Sequence, residues 1–272
     1  MRAVTYLDRR GRVWREGSVS VVDGRVRLCA DAPTPAIPRL DGVVTGGFTD
    51  SHVHLQLVDA EALNDSSLGR VFDLGGNPTV LSGMTSEVEI GFAGAFLTPP
   101  GGYPSDRAWA PEGSVREISD RDAAASAIAE MKDAGATCLK VASNSTTGPV
   151  FSDELFTAIV EIAGTHNLSV IAHAEGAGEA QRATRLRARV LAHAPFTERL
   201  SDAELHAMHG SVSWSSTLAV HEGEAYEIAV DNVRRFHALG GIVVYGTDMG
   251  NGPTPVGLNP REIAALREAG ID

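Results

Sequence analysis

Long apolar runs are missing from this 272-residue chain, and so are cysteines beyond Cys29 and Cys138. No stretch approaches the ~20 residues that a membrane-spanning helix needs, and two thiols cannot make a disulfide framework. Cations are scarce as well: 23 Lys and Arg against 35 Asp and Glu leave a formal net charge of −12. That balance argues against the phosphates of a nucleic acid and against an anionic membrane as partners, and leaves small molecules. The opening MRAVTYLDRRGRVW carries charge where a signal peptide would be apolar, so the expectation is a cytoplasmic protein.

The residues present suffice for one large domain with a small appendage, since 43% of them are hydrophobic. The first forty-odd residues alternate short β-prone runs with turns: VTYL, RVW, then SVSVVDGRVRLCA with Asp23-Gly24 as a hairpin turn. A proline-rich connector, APTPAIP from Ala32 to Pro38, comes next. The expected division is a small β accessory domain over 1–46 and a larger domain over 47–272.

From there apolar strands alternate with punctuated helices. Strand candidates are VVTGGFTDSH, MTSEVEI, GAFL, TCLKVAS, LSVIAH, RVLAH, SVSWSS and IVVYGTD. Among the helices, SDRDAAASAIAEMKDAG reads as capped by Ser119 and stopped by Gly135, SDAELHAMHG as a capping box of Ser201 with Glu204, and NPREIAALREAG as Asn259 followed by Pro260. Strand then helix, about eight times, predicts an α/β fold with the parallel sheet closed as a (β/α)8 TIM barrel; an open doubly wound sheet is the rival. The long loop TPPGGYPSDRAWAPEGSVRE is read either as a lid over a pocket or as a surface insertion.

Ionisable residues come directly after the apolar runs: His52 and His54, Lys140, His173, His193 and Asp248. In a barrel they would meet at the mouth formed by the C-terminal strand ends. Residues two apart on a strand share a face, so His52 and His54 project together. Four imidazoles, a lysine and a carboxylate are costly to bury together without a purpose, and a divalent metal supplies one. Taken singly, Lys140 could snorkel at a barrel end and Asp248 could cap the next segment.

The set HVH at 52–54, Lys140 in CLKVAS, His173 in VIAHAE, His193 in VLAHAP and Asp248 in YGTDMGN resembles the amidohydrolase superfamily of metal-dependent hydrolases. The resemblance implies two divalent ions, most simply Zn2+. His52, His54 and Asp248 would hold one, His173 and His193 the other, and an N-carboxylated Lys140 would bridge them. It implies cleavage of an amide or cyclic amide C–N bond by metal-activated water, with Asp248 carrying the proton. A lactone or ester hydrolase, a decarboxylase and a non-catalytic scaffold are the alternatives. GLNPREIAALREAGI and the long loop look most like the imidazolonepropionase-like and dipeptidase-like branches.

His221 and Tyr103 are further candidates for meeting substrate, with Arg107 and Trp109 in the same loop as Tyr103. Asp50, Glu87 and Glu89 are candidates for orienting the ligands, and Cys138 reads as an apolar filler beside Lys140. Compared with the superfamily the accessory domain looks short, leaving apolar edges between Val4 and Cys29 for a neighbouring subunit to cover, so a homo-oligomer is expected.

Overall fold

The computed structural model describes residues 1–8, 13–22 and 25–272, so the expected Asp23-Gly24 turn lies outside the described residues. The chain separates into two compact units, Met1–Phe48 and Thr49–Asp272. The first is a four-stranded sheet of β1 (Arg2–Asp8), β2 (Val13–Val22), β3 (Arg25–Cys29) and β4 (Arg39–Val44), in the order β3-β2-β1-β4. Here β1–β2 and β2–β3 pair antiparallel and β1–β4 parallel. Val4 and Tyr6 are buried, whereas Trp14, Val21, Val26, Leu28 and Val43 are exposed.

The second unit carries β5 (Phe48–Val53), β6 (Leu68–Asp73), β7 (Glu89–Phe92), β8 (Phe96–Thr98), β9 (Val115–Glu117), β10 (Cys138–Asn144), β11 (Ser169–Glu175), β12 (Val190–Leu191), β13 (Ser213–Ser215) and β14 (Val243–Val244). Its helices are α1 (Pro78–Gly83), α2 (Arg121–Asp133), α3 (Asp153–Thr165), α4 (Glu179–Arg185), α5 (Asp202–Met208), α6 (Gly223–Ala238) and α7 (Pro260–Glu268). Among the described residues no helix is long and apolar enough to cross a membrane.

An α/β fold with parallel-strand sheets is what the alternation predicted, but the ladders do not close into the expected barrel. They form a seven-stranded sheet, β14-β13-β12-β11-β10-β8-β9, and a three-stranded one, β5-β6-β7. Two seams separate them. At the first, Gly94 adopts φ +76° between β7 and β8, and a Cβ there would sit 2.4 Å from Met131 Sδ; the turn takes the chain off the β6 ladder and onto β10. At the second, β14 is only two residues long. The segment after it meets the backbone of β5 through one isolated bridge between Val53 and Met249 and hydrogen bonds from Ser51 N to Tyr245 O and from His54 N to Met249 O, not through a regular ladder.

Other expectations need correction. VVTGGFTDSH is not one strand: it divides between β4 and β5 at Thr45–Gly47, because two glycines in succession give the ladder no side chain to pack. β6, the stretch LGRVFD, is absent from the expected strands, since Gly69 and Arg70 interrupt its apolar pattern. Asp120, not Ser119, caps α2, its carboxylate accepting from Ala123 N at 2.9 Å. The Ser201–Glu204 box and the Asn259-Pro260 start of α7 form as the sequence implies.

The core of the second unit joins sheet to helices. Every residue of β10 is buried, and Ile128 and Met131 of α2 pack with Phe156 and Ile159 of α3, while Trp214 of β13 stacks on Phe236 of α6 at 3.8 Å. Burying such side chains contributes about 1.5–3 kcal/mol each, so the strands are held rigidly enough to aim the polar residues at their ends. In the register of β10 with β11, Lys140 lies opposite Ile171 and Ala142 opposite His173.

Candidate metal centre

All six sequence-predicted ligands, His52, His54, Lys140, His173, His193 and Asp248, line one cavity of about 430 Å3, and Tyr103 and His221 line it too. A larger recess of about 790 Å3 along α4 and α5 holds none of these groups. The six are buried, His52 and Lys140 almost completely.

The tightest cluster is made by β5 and the loop after β14. His52 Nε2 and His54 Nε2 lie 3.2 and 3.3 Å from the same oxygen, Asp248 Oδ1. Their other nitrogens are committed: His52 Nδ1 donates to Ala192 O at 2.7 Å and His54 Nδ1 to Gly75 O at 3.0 Å. A carbonyl only accepts, so each Nδ1 carries the hydrogen and each Nε2 can present a lone pair. Ligand atoms of these three residues fall within 4.8 Å of one another. Asp248 holds its place through an uncommon backbone, φ +53°, and through Asn251 Nδ2, which donates to Oδ2 at 2.8 Å.

Beside them stand the other two imidazoles. His193 Nδ1 shares a 2.9 Å hydrogen bond with Thr217 Oγ1, leaving Nε2 available. His173 is turned the other way: Nε2 meets Glu175 Oε2 at 3.0 Å, leaving Nδ1. The two rings meet edge to face at 5.0 Å. Lys140 Nζ is 3.3 Å from His52 Nε2, and among the described residues no carboxylate lies within ion-pair distance of it.

The electrostatics come from burial and from the neighbours. Burial pushes His52 and His193 well below the ordinary imidazole range, so both are neutral. Burial works the same way on His54, but the Asp248 hydrogen bond and charge outweigh it and raise its affinity for a proton. Asp248 is raised by burial yet ends well below the usual carboxylate range, because His52, His54 and His193 surround it. Burial brings Lys140 down to about 8. The field therefore asks for positive charge at the point where three donor atoms converge, and the lone-pair-bearing nitrogens and carboxylate match what a zinc-class cation binds.

Supporting groups divide in a way the sequence does not foretell. Asp50 does orient its neighbours, accepting from His52 N and Thr247 N at 3.1 Å and from Thr247 Oγ1 at 2.6 Å, and burial lifts its carboxyl to about 7. Glu87 and Glu89 do not: both are exposed, Glu87 ahead of β7 and Glu89 at its first residue, where it pairs with Arg70 of β6. Sequence reasoning misses Glu175, Thr217, Asn251 and Asp73, the last of which accepts from Leu55 N and from Gly75 N. Only Glu175 carries a signal, two residues after His173 on the same strand face. Cys138 is a buried filler packed with Leu74, Ala93 and Ala192, its thiol pushed up to about 12 by burial.

No protein-family model matches the chain and no curated protein sequence is similar to it. Solved structures are similar in fold. A Xaa-Pro dipeptidase with bound methionine superposes with a TM-score of 0.71 at 16% identity, covering 99% of this chain and 83% of that one. A prolidase complexed with N-methylphosphonate-L-proline gives 0.68 at 20% identity over 98% and 82%, and a molinate hydrolase 0.69 at 15% over 100% and 80%. What these structures share with the chain is the fold, over nearly its whole length.

Proposed function

We propose that the chain is a metal-dependent amidohydrolase that opens an amide or cyclic amide C–N bond in a small molecule. The observation that carries this reading is the convergence of His52 Nε2 and His54 Nε2 on one oxygen of Asp248, with both Nδ1 atoms tied to backbone carbonyls. The neighbours in fold include proteins named as prolidase and dipeptidase.

His52, His54 and Asp248 would hold one divalent ion of the zinc class, and His173 Nδ1 with His193 Nε2 a second. When bound, such ions polarise the scissile carbonyl and make water acidic enough to attack near neutral pH. Lys140 would lie between the two sites. A buried ammonium without a carboxylate partner is unfavourable there, and burial already brings Lys140 down to about 8, toward the neutral amine that reacts with carbon dioxide. The amine nitrogen bonds to the carbon of CO2 and releases a proton, leaving a carbamate whose two oxygens suit two cations.

Asp248 is the proton carrier in this scheme. Its carboxylate is held in place by the hydrogen bond from Asn251 Nδ2 to Oδ2, so it would take a proton from attacking water and pass it to the leaving nitrogen. Asp248→Asn keeps the shape and removes the base. Hydrolysis of an amide panel should fall by at least about a hundredfold with near-UV circular dichroism unchanged; turnover at the wild-type rate would remove Asp248 from this role.

A further inference from the structure

Resting on the hydrolase reading above, we infer that Asn144 and Glu175 are positioning residues: with a backbone N–H of the loop after β10 they form a hydrogen-bond relay that decides which ring nitrogen of His173 is free for a cation. The ladder brings the parts together. In the register of β10 with β11, Asn144 lies opposite Glu175 and Ala142 opposite His173. Alternate residues of a strand share a face, so Asn144 stands on the face of β10 that carries Lys140, and Glu175 on the face of β11 that carries His173. The loop then folds back on the end of β11. Ser145 N donates to Glu175 O at 3.0 Å, and a Cβ at Gly176, φ +113°, would sit 2.0 Å from Ser145 Oγ, so only glycine lets the two segments approach.

Donors and acceptors fix one another in turn along the relay. Thr146 N donates to Asn144 Oδ1 at 3.0 Å and Thr146 Oγ1 to the same oxygen at 2.6 Å. A backbone N–H can only donate, so the atom facing it is the amide oxygen, and Nδ2 is left to donate to Glu175 Oε2 at 2.7 Å. That same Oε2 lies 3.0 Å from His173 Nε2. A carboxylate at neutral pH has no hydrogen to give, so Nε2 supplies it and the lone pair falls on Nδ1. His52 and His54 reach the opposite tautomer through backbone carbonyls at Nδ1; for His173 the side-chain relay takes the place of such a carbonyl. Because Asn144 anchors the relay, orientation and not the charge of Glu175 is what it needs. In Glu175→Gln the new amide must turn its oxygen to this position, since its NH2 there would face Asn144 Nδ2, another donor.

Long-range nitrogen–proton NMR of the histidine rings tests this on the full chain, at a pH above the imidazole range and before Zn2+ is added. His173 should carry its hydrogen on Nε2 in wild type and in Glu175→Gln alike. Adding Asn144→Leu to Glu175→Gln frees the amide to turn over, so the Nδ1–H form of His173 should appear. Glu175→Leu removes the acceptor altogether; the same form should appear, and the affinity of the His173–His193 site for Zn2+, read by competition with a chelator, should fall about tenfold to a hundredfold. Wild-type His173 with its hydrogen on Nδ1 overturns the inference, and so does a Glu175→Gln chain that switches tautomer by itself or a double variant that keeps the wild-type form. The ring hydrogen is read without metal, so a chain that takes up no Zn2+ would remove the hydrolase reading while the tautomers still decide this one.

Discussion

At the scale of single residues the site depends on small polar contacts behind the ligands. Thr217 is the clearest instance, a threonine at φ +42° whose hydroxyl meets His193 Nδ1 at 2.9 Å. Thr217→Val keeps the shape and deletes that partner, so the affinity of the site built on His173 and His193 for Zn2+ should fall about tenfold to a hundredfold, with the site of His52, His54 and Asp248 little affected. Competition against a chromophoric chelator resolves the two sites; equal weakening of both, or of neither, would contradict the assignment. The proposed ligands are legible in the sequence because each directly follows an apolar run. Thr217 and Asn251 are not, because a turn that brings a hydroxyl or an amide onto a ligand leaves no periodic trace.

At the scale of elements, α7 supports the turn that carries these contacts. Glu262, fully buried on α7, accepts from Ala219 N at 2.7 Å, two residues beyond Thr217 and two before His221. Burial raises its carboxyl above the usual range, and its charge adds to the burial that raises Asp50. A pKa higher in the folded than in the unfolded chain gives stability fully present below the unfolded value near 4.5 and lost as pH rises through the folded value. Glu262→Gln keeps the acceptor for Ala219 N and cannot ionise. Urea midpoints from pH 5 to pH 8 should therefore fall for wild type relative to Glu262→Gln as pH rises; parallel curves would show that Glu262 does not titrate in this range. The start of α7 is readable from Asn259-Pro260, whereas β6 is not, since a strand with Gly69 and Arg70 in it lacks both an unbroken apolar run and clean alternation.

At the scale of the whole molecule, the order of strands and helices is legible in the sequence and the closure of the sheet is not. Alternating runs report parallel strands, but the seams at Gly94 and beyond the two-residue β14 depend on local backbone turns that composition does not encode. The six proposed ligands lie on, or shortly after, five separate strands, so cations bound to them would cross-link the second unit. Saturation at about a hundred times the dissociation constant should stabilise the fold by about 2.7 kcal/mol for each site filled, seen as a rise in Tm that a chelator reverses. A Tm independent of Zn2+ would separate the fold from the metal altogether.

The central claim is the metal centre itself, and elemental analysis of protein purified without chelators tests it most directly, on wild type and on Lys140→Ala. About two zinc-class ions per chain are expected in wild type, with a clear loss in Lys140→Ala. Wild-type protein that holds no metal, and takes none up when reconstituted with Zn2+ and bicarbonate, would contradict it.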